Sequence, residues 1–120
     1  MKLQIFTVAS IVVFMASSCG SSKKAGSSAE ASLTPGDAEV KAIQGKYADV
    51  TLQTLNEGYA VYSGPCTKCH GQKNIFSRTE QEWEKAINRM APKAKITDVQ
   101  KDALWKYVLA MKAARPNQTK

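Results

Sequence analysis

Two cysteines and a histidine stand close together in the middle of the chain, in the run Cys66-Thr67-Lys68-Cys69-His70. Thiols are nucleophiles, and imidazole is a common ligand for metal ions. With two residues between them, both thiols can reach one edge of a porphyrin and form thioethers with its two vinyl groups. The next residue can then ligate the iron. This spacing is the pattern of covalent haem attachment, and it predicts one haem bound by Cys66, Cys69 and His70.

Three other kinds of site use two cysteines at this spacing. A thiol–disulfide site normally opens a helix that follows a strand, and nothing here predicts such strands. A structural zinc ion needs four ligands, whereas the motif offers three and His70 is the only histidine of the chain. A simple disulfide leaves His70 without a role. A haem-free thiol–disulfide protein is therefore the main alternative at these residues.

Three amphipathic segments in the second half of the chain predict helices, at Leu52–Ser63, Glu80–Met90 and Asp98–Ala113. Within each segment, apolar residues recur at the spacing of one helical face. A threonine able to cap the helix precedes each of them: Thr51, Thr79 and Thr97. Because no segment shows the alternating pattern of a strand, we predict an all-α fold with three main helices.

Glycine and proline set the expected ends of these helices. Gly64 and Pro65 stop the first helix, and Pro116 lies just beyond the third. Proline disfavours helical backbone at the residue before it. Pro92 therefore predicts that the second helix ends close to Met90.

The predicted core is small. The faces expected to be buried are formed by Leu52, Leu55, Gly58, Tyr59 and Tyr62, by Trp83, Ala86, Ile87 and Met90, and by Val99, Ala103, Leu104, Tyr107, Val108 and Met111. Trp105 and Leu109 fall on the opposite, lysine-rich side of the third helix. The folded domain is predicted at 47–115, with a tail at 116–120. A core of this size usually needs a disulfide, a metal or a bound cofactor for stability, and a covalent haem would supply it.

The first 18 residues have the features of a secretory signal peptide. Lys2 gives a positive start, and an apolar run extends to Met15 before the small residues Ala16, Ser17 and Ser18. The run is shorter than the roughly 20 apolar residues of a membrane-spanning helix. A retained N-terminal anchor is the alternative.

Cys19 follows directly and resembles the lipidated cysteine of bacterial lipoproteins, which becomes the mature N-terminus. Ala16 stands where a leucine is usual, so ordinary cleavage near Ser18 is the alternative. Residues 19–46, rich in Ser, Gly and Ala at their start, predict a flexible tether. We expect a lipid-anchored protein of the bacterial cell envelope that faces the periplasm. Gly20 after the cysteine favours the outer membrane.

Residues 51–112 resemble the monohaem cytochrome c family, in particular short bacterial members with a lipoprotein signal. In that family a glycine, followed four residues later by an aromatic residue, precedes the haem motif; Gly58 and Tyr62 match this pair. The final helix of the family crosses at the glycine with an aliphatic and an aromatic residue, which Leu104 and Tyr107 match. The resemblance implies a small cytochrome c-like fold, packed around one covalently bound haem c.

The resemblance also implies a methionine as the second axial ligand of the iron, in a loop before the last helix and followed by proline. Met90, two residues before Pro92, fits this description. Met111 is the main competitor. Lys93 and Lys95 are close in sequence and are alternatives in their deprotonated form.

The chain departs from the family in two respects. Only 20 residues separate His70 from Met90, and the segment 72–78 lacks the proline whose carbonyl often orients the axial imidazole. The backbone oxygen that receives the His70 N–H therefore stays open. The cations that could pair with haem propionates are Lys73, Arg78 and Arg89, although solvated side chains are the simpler interpretation.

These residues together predict an electron carrier and not an enzyme, since two axial ligands leave no open position on the iron. A five-coordinate haem sensor or enzyme subunit is the alternative if Met90 does not ligate. The net charge of +7 favours redox partners with acidic docking surfaces. We expect a monomer, held at a membrane by its lipid. An exported chain rarely meets nucleic acid, so no nucleic-acid partner is expected.

Overall fold

The computed structural model describes residues 32–69 and 71–118 of the 120-residue chain. Within these ranges there are four α-helices and no β-strand, which confirms the predicted all-α fold. The helices are α1 (Asp37–Gln44), α2 (Leu52–Ser63), α3 (Glu80–Ala94) and α4 (Asp98–Ala114). Short 3₁₀ turns lie at Pro65–Thr67, Ile75–Ser77 and Pro116–Gln118. The predicted signal peptide and Cys19 lie outside the described residues.

Three of the helices begin where their capping residues predict. The Thr51 hydroxyl accepts a hydrogen bond from the Thr54 N–H at 3.2 Å, at the start of α2. The other two begin with a reciprocal capping box: Thr79 with Glu82 in α3, and Thr97 with Gln100 in α4. Each box satisfies backbone N–H groups that have no partner inside the helix.

The predicted end of α3, two residues before Pro92, is wrong. The helix continues past the proline to Ala94, since a proline in the final turn removes one hydrogen bond without preventing the turn. The helix ends where Lys95 adopts a left-handed φ of 55°. There the Ile96 N–H donates to the Ala91 carbonyl at 3.2 Å, and the Lys95 N–H donates to the Pro92 carbonyl at 3.3 Å. This Schellman motif satisfies the last carbonyls of the helix.

The tether predicted at 19–46 is wrong for its last part, which forms α1 and packs on α4. The buried Glu39 carboxylate accepts a hydrogen bond from the Arg115 guanidinium at 3.0 Å. The Tyr107 hydroxyl donates to the Leu33 carbonyl at 2.7 Å. Because these bonds join residues far apart in sequence, the folded part begins well before residue 47.

Helix α1 contributes to a core that reaches a side of α4 predicted to face solvent. Ile43 of α1 and Leu109 of α4 belong to the same apolar core, so Leu109 is buried although the sequence placed it on the lysine-rich side of the helix. The stem of Lys106 is buried, and its ammonium group lies 2.9 Å from Asp49. Val99 differs in the opposite direction: it is 73% exposed, because the buried part of α4 begins only at Ala103.

The crossing of α2 and α4 depends on one glycine. A Cβ at Gly58 would lie 2.2 Å from the Ala103 carbonyl oxygen and 2.5 Å from the Tyr107 Cβ. These contacts require the absence of a side chain, so the two backbones approach closely, as predicted for this position. The crossing brings the Tyr62 and Tyr107 rings to 5.6 Å between centroids and buries Leu104 beside them.

Candidate cofactor-binding site

Both motif cysteines lie in a compact turn directly after α2. The Gly64 N–H donates to the Ala60 carbonyl at 3.0 Å, and a Cβ at Gly64 would stand only 2.8 Å from that oxygen. The Thr67 hydroxyl then donates to the Gly64 carbonyl at 2.8 Å and closes the turn. The local sequence thus brings Cys66 and Cys69 to the C-terminal end of α2.

The two thiols differ in exposure but line the same cleft. Cys66 is half-buried and packs against the core, whereas Cys69 is exposed. Burial raises the pKa of the Cys66 thiol, because a thiolate is poorly solvated there. Both cysteines are free and no disulfide joins them.

The cleft is largely apolar. The empty space between its walls amounts to about 650 Å³ when the part that is open to solvent is included. Its apolar lining is contributed by α2, α3 and α4: Tyr62, Trp83, Ala86, Ile87, Ala91 and Leu104. These walls suit a cofactor that is itself mostly apolar.

Met90 is the methionine that lines this cleft. Its side chain is half-buried on α3, in the same cleft as Cys66 and Cys69. Met111, in contrast, is fully buried in the core and is not among the lining residues. Its sulfur lies 3.9 Å from the Arg115 guanidinium. Of the two methionines in the described part of the chain, only Met90 therefore reaches the thiols' cleft.

The two lysines that are alternatives to Met90 as iron ligands lie away from the cleft. Lys93 and Lys95 are exposed, and neither lines the cleft. The extra turn of α3 instead contributes Ala94 and the following Ile96 to its wall. Sequence reasoning misses these residues, because Pro92 predicts that the helix ends before them.

Basic side chains stand at the cleft. Lys73 and Arg78 belong to its lining, whereas Arg89 is exposed and does not. The Arg78 guanidinium lies over the Trp83 ring, 5.5 Å from its centroid. None of the lining residues is acidic. The cleft therefore combines apolar walls with two cations and suits a cofactor that carries peripheral carboxylates.

Two aromatic side chains of the cleft donate hydrogen bonds to the segment after the motif. The Tyr62 hydroxyl donates to the Lys73 carbonyl, and the Trp83 indole N–H donates to the Ile75 carbonyl at 2.8 Å. Burial raises the pKa of Tyr62 from 10.0 to about 12. Neither bond has a sequence signal, because the acceptors are backbone carbonyls.

His70 and Cys19 lie outside the described residues. Within residues 32–69 and 71–118, no three His, Cys, Asp or Glu side chains converge as ligands for a bare metal ion. In the same ranges, no helix is long and apolar enough to cross a membrane.

The donors at the cleft fit the haem that the sequence predicts. Two free thiols can form the thioethers, and the Met90 thioether is a suitable iron ligand. Apolar walls suit the porphyrin, and Lys73 and Arg78 suit its carboxylates. Comparisons with protein-family models, curated proteins and solved structures give no match for this chain.

Proposed function

We propose that the protein is a monohaem c-type cytochrome that carries single electrons. The observation on which this proposal depends is the meeting of Cys66, Cys69 and Met90 at one apolar cleft. Helix packing alone does not require a methionine at the cleft, since Met111 is fully buried in the core and does not line the cleft. A cofactor that uses all three sulfur atoms explains their convergence.

Each motif residue has a distinct role in this proposal. Cys66 and Cys69 would hold the haem through two thioethers, each made by addition of the thiol across one vinyl group, with the sulfur on one carbon and the hydrogen on the other. His70, next in sequence, would hold the iron through its imidazole, and Met90 would hold it through its thioether. Bound in this way, the haem supplies a ferrous–ferric couple that exchanges one electron.

A second protein ligand would distinguish an electron carrier from a haem enzyme. With His70 and Met90 both holding the iron, no position would be open for oxygen or peroxide. Trp83 and Ile87 are buried and form apolar walls that limit water in the cleft. A soft thioether also favours the ferrous state, so Met90 raises the reduction potential relative to a second imidazole.

The charge at the cleft supports a partner protein with an acidic docking surface. Lys73 and Arg78 line the cleft, and Lys68 is exposed between the two cysteines. Opposite charges steer the encounter between partners and accelerate it most at low ionic strength. Exposure of Cys69 near this surface gives a docked partner access to the attached edge of the cofactor.

The proposed location is the bacterial cell envelope. Cys19 would carry the lipid, and the segment rich in Ser, Gly and Ala would connect it to the domain. The lipid would keep the domain near membrane-bound partners. The proposed membrane is the outer membrane, with the domain on its periplasmic side. The domain acts as a monomer in this proposal and binds no nucleic acid.

Voltammetry and carbon monoxide binding on the exported, haem-loaded protein test this function together. We expect a reversible one-electron wave, and no binding of carbon monoxide to the reduced protein at neutral pH. Stoichiometric binding of carbon monoxide under these conditions would contradict an electron carrier with two protein ligands. It would instead support a five-coordinate sensor or enzyme subunit.

A further inference from the structure

Two buried aromatic residues of the cleft hold the chain that follows the motif. Tyr62 and Trp83 are only 2% and 6% exposed, and their rings meet edge to face at 6.4 Å between centroids. Tyr62 donates to the Lys73 carbonyl, and Trp83 donates to the Ile75 carbonyl at 2.8 Å. The two donors thus hold alternate carbonyls of one short segment.

At its two ends that segment has only local hydrogen bonds: the Gly71 N–H donates to the Thr67 carbonyl at 3.1 Å, and the Asn74 side chain accepts from the Phe76 N–H at 2.8 Å. Residues 71–74 form neither helix nor strand and are exposed, and Gly71 has a φ of 68°. From Ile75 onward the chain is held by burial, since Ile75 and Phe76 are in the core. Among the described residues, the hydrogen bond from Tyr62 is the one that joins residues 71–74 to another part of the fold.

The same segment separates two clefts. Tyr62, Gln72 and Lys73 line the cleft of the thiols and also a second, more open cleft. Residues shared by two adjoining clefts form the wall between them. If Lys73 moved away, the two spaces would join and the apolar cleft would become more open to water.

We infer that Tyr62 is a positioning residue whose hydroxyl latches the Lys73 carbonyl and keeps residues 71–74 closed as a wall of the cofactor cleft. The link to redox behaviour rests on the proposed function. The apolar surroundings of a haem set solvent access and thereby its potential. Water admitted by an open wall stabilises the more highly charged ferric state, so loss of the latch lowers the reduction potential.

Trypsin provides a direct test of the latch. It cleaves after lysine and must engage the carbonyl of the cleaved bond, and for Lys73 this is the carbonyl that accepts from Tyr62. In Tyr62→Phe we expect cleavage after Lys73 to be about tenfold faster, the change that corresponds to a hydrogen bond of about 1.4 kcal/mol. Cleavage after the exposed Lys46 serves as the internal reference.

Tyr59→Phe is the matched control. Tyr59 lies one turn earlier on α2, and its ring is tilted against that of Tyr107 with 5.7 Å between centroids. Its hydroxyl has no hydrogen bond among the described residues. Selective acceleration after Lys73 in Tyr62→Phe, with no change in Tyr59→Phe, supports the latch. Equal acceleration after Lys46, as global loosening would cause, overturns it, and so does unchanged cleavage.

The reduction potential of the haem-loaded variants is the second measurement. We expect a lower potential in Tyr62→Phe, with both thioethers intact, and an unchanged potential in Tyr59→Phe. An unchanged potential in Tyr62→Phe overturns the redox part of the inference. Proteolysis does not need haem, so a wild-type protein without haem would refute the proposed function while the cleavage ratio still tested the latch.

Discussion

Met90 and Met111 are chemically identical, and only their surroundings decide which can serve a cofactor. Met90 is half-buried at the cleft of Cys66 and Cys69, while Met111 has no exposed surface. A fully buried side chain contributes packing, and packing tolerates replacement by another apolar side chain of similar volume. The two positions therefore respond differently to the same substitution.

Met90→Leu is expected to abolish the weak far-red sulfur-to-iron band of the oxidised, haem-loaded protein, because leucine keeps the volume and removes the sulfur. Met111→Leu is the matched control and is expected to retain the band. Absorption spectra of the two oxidised variants provide the comparison. Retention of the band in Met90→Leu, or its loss in Met111→Leu, would show that the ligand is assigned to the wrong methionine.

The backbone of Lys95 costs stability, since its left-handed φ of 55° is unfavourable for any residue with a Cβ. Lys95→Gly is expected to raise the free energy of unfolding by about 1 kcal/mol. Lys93→Gly makes the same change inside α3 and is expected to lower it by about 1 kcal/mol. Urea denaturation measures both, and the same sign at the two positions would contradict this account of the helix end.

At the scale of the elements, local signals predicted the helix starts well but failed where distant contacts decide. Threonine caps fixed the starts of α2, α3 and α4. Helix α1 was missed because it has eight residues, and its stability depends on α4 and on the pairing of Glu39 with Arg115, far away in sequence. The end of α3 was missed because a proline in a last turn is compatible with a helix.

The candidate site was predictable to a similar degree. The motif identifies Cys66 and Cys69. The apolar face of α3 ends at Met90, which predicted that this side chain would lie on the side of α3 that faces the other helices. The contribution of Ile96 to the cleft depends on the additional turn of α3. The bond from Tyr62 to the Lys73 carbonyl could not be predicted, because every residue type presents the same carbonyl.

Gly58→Ala tests the crossing of α2 and α4. A methyl group there would lie 2.2 Å from the Ala103 carbonyl oxygen, so we expect a loss of about 3 kcal/mol in the free energy of unfolding. Gly45→Ala is the control. Gly45 has a φ of −65° and no neighbour within 4 Å of the added carbon, so a gain of about 0.5 kcal/mol is expected.

Urea denaturation of the two glycine variants measures both changes in the free energy of unfolding. A Gly58→Ala protein as stable as the wild type would mean that the helices can separate at low cost. The close approach would then not explain why glycine occupies this position.

For the molecule as a whole, buried tyrosines predict sensitivity to alkali. Burial raises the pKa of Tyr62 from 10.0 to about 12 and that of Tyr107 further in the same direction. The unfolded chain loses these protons first. The contribution of Tyr62 is therefore fully present below pH 10 and is lost as the pH rises to about 12.

The free energy of unfolding is accordingly expected to fall between pH 10 and 12, by about 2 kcal/mol for Tyr62 alone. Tyr62→Phe removes one of the two ionisable groups and makes the decline less steep, whereas Tyr59→Phe retains it. Urea denaturation followed by far-ultraviolet circular dichroism gives the values. An equally steep decline in Tyr62→Phe would contradict the assignment of this group.

The proposed thioether bonds of Cys66 and Cys69 are tested most directly by the alkaline pyridine haemochrome spectrum of the exported, purified protein. We predict one haem per chain with the spectrum of two thioethers. Cys66→Ala and Cys69→Ala should each shift the spectrum towards a haem with one unreacted vinyl group. A colourless, iron-free wild-type protein would contradict the account and favour a thiol–disulfide protein.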